Sequence, residues 1–285
     1  MRATDSLFLV GAVPVYQPNS RLTESVRSYA SQVDRILIWQ NSKLGEGLKD
    51  ELTRQFGDKI YFLGTGENVG VAEALNSCAD EAMRLGAHYL LTMDQDSVFE
   101  TNAADMLFTA SLLEGSRTIN SPLHVLQSDV PVKYNQARER WVMTSGNIFS
   151  LEAFKEVGPF NSGYFIDGVD MEWCLRARSK GIRIVVHRQS LLNHQLGDTR
   201  HHKLFFFKMI CSTNHQPFRY YYMYRNYLDI ALRQTYLRME DRISVIKVLL
   251  QISISILLFE TGKTDKLAHA ARGVRDFWRS RMGPA

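Results

Sequence analysis

The sequence predicts an α/β fold: a mostly parallel, Rossmann-like central sheet flanked by helices, with a helical C-terminal extension. Three patterns predict it. Apolar runs at residues 7–13, 35–39 and 59–63 are each followed by a segment with helical spacing, the rhythm of βα units and parallel pairing. A fourth run, Tyr89, Leu90, Leu91 and Met93, is apolar enough for a strand covered on both faces, and it ends abruptly in Asp94-Gln95-Asp96-Ser97. From residue 219 onward helical periodicity takes over. Residues 1–200 are therefore assigned to the α/β domain and 201–285 to the extension.

The first run closes at Pro14 and the turn residues Gln17, Pro18, Asn19 and Ser20. Leu22, Val26 and Tyr29 then recur at helical spacing, with Ser20 in position to cap. The second strand ends in the polar loop from Gln40 to Lys43, and residues 48–56 make the next helix. The third strand runs into Gly64-Thr65-Gly66-Glu67-Asn68-Val69-Gly70, which opens a helix carrying Val71, Ala74, Leu75, Cys78, Ala82 and Leu85. Backbone N–H groups at such a helix start suit a phosphate, and the same glycines suit a tight turn with no ligand. The loop follows the third strand rather than the first, so it is a weak dinucleotide fingerprint. Ligands of parallel sheets bind beyond the carboxyl ends of the strands, so the loops at 14–19, 40–43, 64–70 and 94–97 should share one rim.

After the Asp pair, 103–113 reads as a helix, 116–135 as irregular chain with short edge strands near Pro122 and Pro131, and 140–143 as a strand. Thr144-Ser145-Gly146-Asn147 is a polar turn, and 148–158 a strand end with a short helix. The aromatic, glycine-rich stretch 160–168 suits a substrate wall. A helix opens at Val169 and closes at Gly181, a C′ glycine. Asp170 lies in its first turn, where the helix dipole favours a carboxylate. A strand at 182–186 leads to a loop holding Asn193, His194, Gln195, Leu196, Gly197 and Asp198.

The 285 residues, 45% apolar and 22% charged, suffice for one large domain with an appendage. The three cysteines, Cys78, Cys174 and Cys211, share no CxxC spacing, which argues against a disulfide framework or zinc site and for a reducing compartment. The N-terminal apolar run contains Pro14 and flows into the first strand, unlike a signal peptide. A formal charge of +4 is modest and points to no nucleic-acid partner.

Asp94 and Asp96 carry the chemistry. Two carboxylates one residue apart at the end of a buried strand repel, and desolvating them together is costly unless a divalent cation sits between them. Hard oxygen ligands point to Mg²⁺ or Mn²⁺, whose open positions phosphate oxygens can fill. A bare DxD is also common as a solvated turn; its place after an apolar strand favours the cation.

Five segments in this order resemble the family 2 glycosyltransferases, inverting enzymes with the GT-A fold. They are Val13-Pro14-Val15-Tyr16, then Glu67-Asn68-Val69-Gly70-Val71-Ala72 with Asn76, then Asp94-Gln95-Asp96, then Thr144-Ser145-Gly146-Asn147, then Asp170-Met171-Glu172-Trp173-Cys174-Leu175-Arg176. The run from Phe165 to Gly181, the NHQLGD segment and Phe218-Arg219-Tyr220-Tyr221-Tyr222-Met223-Tyr224-Arg225-Asn226 look more narrowly like bacterial rhamnosyltransferases. Those use dTDP-L-rhamnose and build O-antigen or capsule polysaccharide. The resemblance implies nucleotide-sugar contacts from Pro14, Val15, Tyr16, Gln40, Asn68, Gly70, Asn76, Asp94, Gln95 and Asp96. It implies a divalent cation on Asp96, with Asp94 on the ribose or on the metal through water. His194 is the third candidate ligand, against an ordinary structural histidine. Asp170 would be the general base toward the acceptor hydroxyl. Asp167, Trp141 and Trp173 fall on the acceptor side; the two tryptophans and Tyr164 offer faces for sugars, although core packing is the commoner role for tryptophan. Two departures stand out: Gln40 where the family carries an acid, and Val169 where it carries Glu.

The resemblance also implies a glycan or polyprenyl-linked acceptor and a place in the cytoplasm, at the inner face of the bacterial cytoplasmic membrane. The alternatives are another nucleotide sugar, or a non-catalytic membrane-associated scaffold needing neither Asp pair nor Asp170. A phosphohydrolase with an aspartyl nucleophile would want its acids after the first strand. Residues 219–233 read as an aromatic-rich helix with Arg225 and Asn226 in reach of the site. Across 243–259, Ser244, Lys247, Gln251 and Ser255 make one polar stripe on a helix too short to be read as spanning a membrane. The last segment sets Lys263, Lys266, Arg272, Arg275, Arg279 and Arg281 against the apolar Leu267, Ala271, Val274 and Trp278. That pattern fits an anionic membrane surface, a packed helix or a homodimer contact.

Overall fold

The structure, a computed structural model, describes residues 7–126, 139–194, 200–204 and 208–285. Among these residues, eight strands form one sheet: β1 (Leu9–Val15), β2 (Arg35–Gln40), β3 (Ile60–Leu63), β4 (Tyr89–Thr92), β5 (Val98–Phe99), β6 (Thr118–Leu126), β7 (Asn147–Ser150) and β8 (Arg183–His194). They lie in the order β3-β2-β1-β4-β7-β6-β8-β5. β3, β2, β1 and β4 run parallel; β7 is antiparallel to β4 and to β6, β8 is parallel to β6, and β5 pairs antiparallel with β8.

The period of two along each strand divides the core. Val10, Ala12 and Leu37 face α3 (Gly70–Arg84) and α6 (Val169–Ser179) through Leu75, Cys78, Ala79 and Trp173. Leu9, Val13, Ile36, Ile38 and Leu91 face α1 (Arg21–Arg27) and α4 (Ala103–Glu114) through Leu22, Val26 and Leu107. α2 (Glu46–Phe56) and α5 (Leu151–Val157) complete the helical layers. β1 is where the winding reverses. The chain steps outward to β2 and β3, then α3 carries it back to place β4 on the other side of β1. Such a reversal leaves a crevice at the carboxyl ends of the two strands.

α6 ends as its sequence predicts. Gly181 has φ +80, its N–H bonds Arg178 O at 3.0 Å, and Ile182 N–H bonds Ala177 O at 3.1 Å, a Schellman closure. Other expectations change. Residues 140–143 form no strand. The strand lies instead at β6, in a stretch read as irregular, because Pro122 and the polar Asn120, Ser121 and His124 break the alternation; its register against β8 slips at Pro122/Leu123. β8 continues through Asn193 to His194, where a loop was expected. Ser20 makes no side-chain cap bond. Residues 1–6, the edge strand expected near Pro131 and the segment from Gln195 to Asp198 lie outside the described residues.

The C-terminal region opens with an antiparallel pair of strands, β9 (Arg200–Leu204) and β10 (Lys208–Ser212), absent from the helical expectation. Three helices follow: α7 (Pro217–Arg233), α8 (Met239–Leu258) and α9 (Lys263–Trp278). Tyr220, Met223, Ile256 and Ala270 form a small core among them. α7 and α9 touch backbone to backbone at Gly273, where a Cβ would lie 2.2 Å from Tyr221 O. The outer face of α8 is wider than the expected polar stripe: Lys247 and Gln251 are exposed, but apolar residues share that exposure. Ser255 is buried and bonds Glu260 at 2.7 Å, whereas Ile243, Leu250, Leu257 and Leu258 are exposed. On α9, Leu267 and Trp278 also face outward. No helix among the described residues is long and apolar enough to cross a membrane.

Candidate active site

The crevice between β1 and β4 has a volume of about 530 Å³, ordinary for a small-molecule site. A larger hollow of about 840 Å³ lies beside Arg140 and Arg178, but those arginines are already paired with Glu240 and Asp241. Among the described residues, the group of acids and imidazole close enough to hold a metal ion belongs to the crevice.

One wall is the end of β4. Met93 N–H still bonds Ala12 O at 2.9 Å, but Asp94 N–H turns to Ser145 Oγ at 3.1 Å, and Ser25 Oγ donates to Asp94 O at 3.2 Å. The Thr144–Asn147 turn braces this break. Gly146 N–H bonds Thr92 O at 2.7 Å with φ +82, and a Cβ there would lie 2.6 Å from Pro122, so glycine is required. Gln95 lines the crevice, and its amide exchanges bonds of 2.9 and 3.0 Å with the Tyr16 backbone, tying the two strand ends together. The short pairing of Val98 and Phe99 with Asn193 and Leu192 brings His194 beside Ser97. Asp94, Asp96 and His194 thereby place their ligand atoms within 4.8 Å of one another. His194 Nδ1 lies 3.8 Å from Asp94 Oδ2 and 2.5 Å from Ser97 Oγ. Two hard oxygens and one imidazole suit Mn²⁺ or Mg²⁺. Burial pushes the Asp94 carboxyl up; the His194 ring pulls it back and the Asp96 charge adds to the rise.

The opposite wall is the loop 163–168 and the start of α6. Phe165, Asp167 and Gly168 have φ of +55, +61 and +82, a strained path that α7 holds from behind. Asn226 Nδ2 reaches Tyr164 O at 3.0 Å, Ile166 O at 2.9 Å and Asp167 O at 2.7 Å; Arg225 donates to Gly163 O at 3.0 Å. Both side chains are fully buried. Gly70 presses from the other side, where a Cβ would lie 2.6 Å from Phe165 O. Asp170 follows at the helix start, its Oδ1 accepting from Met171 N–H at 2.8 Å. Burial pushes its carboxyl up to about 6, the Met171 bond opposing and the Asp167 and Asp94 charges adding. Asp94, Asp96, His194 and Asp170 line one crevice, with Pro14 and Tyr16 at its rim.

Other expected site residues lie elsewhere. Trp173 is 2% exposed, packed at a tilt among Phe149, Phe154 and Phe160 with its Nε1–H on Gly158 O, so it offers no face to a sugar. Tyr164 is likewise buried, its hydroxyl on Asp229. Trp141 packs partly buried against the same core. Asn76 holds the Phe160 backbone through two bonds, and Asn68 Oδ1 accepts from Gly70 N–H. Gln40 and Val15 are buried at their strand ends; the next residue, Asn41, lines the crevice and bonds Gly70 O and Val69 N–H. Asp167 does line the crevice, but its carboxylate is paired with Arg219. Arg219, His215 and Tyr227 reach the crevice from α7 and the segment before it and were not anticipated as site residues. The available signal was polar residues at the Pro217 helix start, inside an otherwise aromatic run.

No protein-family model matches the chain. It is 23% identical over 281 residues to the dTDP-rhamnosyl transferase RfbF of Shigella flexneri, covering 90% of this chain and 89% of that one. Among solved structures, S. aureus TarS 1–349 in complex with UDP-GlcNAc superposes with a TM-score of 0.62 at 11% identity, over 96% of this chain and 82% of that one. GalNAc-T7 with UDP, GalNAc and Mn²⁺ superposes at 0.60 with 14% identity, over 96% of this chain. The fold is that of the GT-A glycosyltransferases. The GT-A chain described here spans 56% of the GalNAc-T7 chain, and its sequence resembles the family 2 members with this fold.

Proposed function

We propose that the protein moves a sugar from a nucleoside diphosphate to an acceptor hydroxyl in one inverting displacement. The observation that carries this reading is the shared crevice, with Asp94, Asp96 and His194 gathered within 4.8 Å and Asp170 on the facing wall. A divalent cation on those three residues would supply positive charge to the diphosphate. Asp170 takes the proton of the attacking hydroxyl. Its carboxyl, held at about 6, is ionised at neutral pH and keeps enough basicity to accept that proton. The acceptor oxygen bonds the anomeric carbon as the bond to the diphosphate breaks on the other side, so that carbon inverts.

The finer reading is a dTDP-L-rhamnose donor, supported by the likeness to RfbF, with a glycan or polyprenyl-linked acceptor in cell-surface polysaccharide synthesis. Incubation with dTDP-L-rhamnose, UDP-GlcNAc and GDP-mannose should show slow, Mn²⁺-dependent hydrolysis of one donor, stopped by EDTA. Cleavage of phosphomonoesters instead, or no turnover of any donor, removes the reading. Peripheral attachment at the inner face of the cytoplasmic membrane is supported by the outward Ile243, Leu250, Leu257 and Trp278 and by the exposed cations Lys263, Arg272 and Arg279. The protein should sediment with anionic liposomes at low salt and release as salt rises. A protein that stays in the supernatant overturns this part.

A further inference from the structure

We infer that Arg219 grips the distal phosphate of the nucleoside diphosphate, the one that leaves, and that Asp167 holds it ready to do so. This rests on the transferase reading above. Arg219 sits in the first turn of α7 and lines the crevice. Its Nε donates to Asp167 Oδ2 at 2.7 Å and its Nη2 to Oδ1 at 2.5 Å. Nη1 makes no hydrogen bond among the described residues. A bidentate pair fixes the guanidinium plane, and with it the direction of the unused N–H groups. Asp167 is itself fixed, by a left-handed backbone and by Asn226 on its carbonyl.

Exposure shows which partner is turned outward. The Asp167 side chain is 6% exposed and the Arg219 side chain 29%, so the pair presents its cation rather than its anion. Charge points the same way. Four carboxylates line the crevice, Asp94, Asp96, Asp167 and Asp170, and Arg219 is the arginine facing them. Neighbouring His215 is pushed down to about 4 by burial and by the Arg219 charge, so it stays neutral. Arg219 lies near enough for its charge to act on Asp94 as well as Asp167, and it lines the same crevice as Asp96 and Asp170. The bond between sugar and diphosphate would break within that crevice. The electron pair of that bond passes to an oxygen of the distal phosphate, while the acceptor proton passes to Asp170. A donor already aimed at the oxygen that gains charge needs no rearrangement at that moment.

The test compares nucleotides that differ by one phosphate. Calorimetry with Mn²⁺ measures, for the full chain, the affinities of dTDP and dTMP, and of UDP and UMP. In the Arg219→Gln variant, diphosphate affinity should fall about 10-fold or more while monophosphate affinity stays nearly constant. Arg219→Lys keeps the charge without the fork and should lie between. Equal weakening of both nucleotides, or no weakening of either, overturns the assignment. If Arg219→Gln does not fold, as judged by circular dichroism, the lysine variant is read by the same ratio, and a wild-type ratio there overturns it. A wild-type protein that binds neither diphosphate sinks the transferase reading itself.

Discussion

Asp170 sits at a helix N-terminus, where a carboxylate is ordinarily stabilised, yet it holds its proton up to about 6 because burial and two neighbouring acids outweigh the helix. Asp170→Asn keeps the shape and cannot take a proton. Turnover should drop by about 10²- to 10⁴-fold with nucleotide binding retained, and near-wild-type turnover would remove Asp170 from the mechanism. In the wild type, kcat/KM should rise with pH through an inflection near 6, since the base works ionised. Stability moves the opposite way on this group's account. The folded carboxyl binds its proton more tightly than the unfolded one, at 3.8, so its contribution is fully present below 3.8 and is lost as pH rises through about 6. Asp170→Asn should remove that slope from melting temperatures measured across the window. Asp96→Asn should weaken Mn²⁺ binding, read by electron paramagnetic resonance, at least about 10-fold. Asp94, Asp96 and Asp170 were legible because each breaks a pattern: acids closing an apolar strand, and an acid opening a helix. Trp173 was misread for the same reason reversed. An aromatic beside a site looks like a sugar platform, but the inward face of α6 decides its burial.

Elements were legible where one period ran undisturbed. The first three βα units and α3 follow their apolar spacing closely. β6 did not, because Pro122 interrupts it and its pairing with β8, which begins at Arg183, lies far along the chain. The contact of α7 with α9 was invisible for a related reason: Gly273 in a basic helix looks like a mere weak point. Glycine to alanine in an exposed helix gains about 1 kcal/mol. Here the added carbon would meet Tyr221 O at 2.2 Å, and backbone cannot step aside as a side chain can. Gly273→Ala should therefore lower the melting temperature despite its better helix propensity. A higher melting temperature by calorimetry would mean that the two helices are not pressed together at that point.

At the scale of the molecule, the crevice is not the property of one part. Its acids come from the ends of β4 and α6, and Arg219 and His215 come from the C-terminal region, so a division at residue 200 runs through the site. The sequence could not reveal this, since Asp167 and Arg219 are 52 residues apart and their pairing depends on how α7 crosses the loop. Nucleotide with Mn²⁺ should slow amide exchange at residues 94–97, 163–170 and 215–219 together. Protection confined to the first stretch would mean that the two walls do not act on one ligand.

Asn226 reads no side chain in the loop it supports, only three carbonyl oxygens. The path of that loop is thus specified by α7, while the chemistry it shows to a ligand is written separately, in Ile166 and its neighbours. A library randomised at Ile166 with α7 left intact is accordingly the place to seek a changed sugar preference without losing the scaffold.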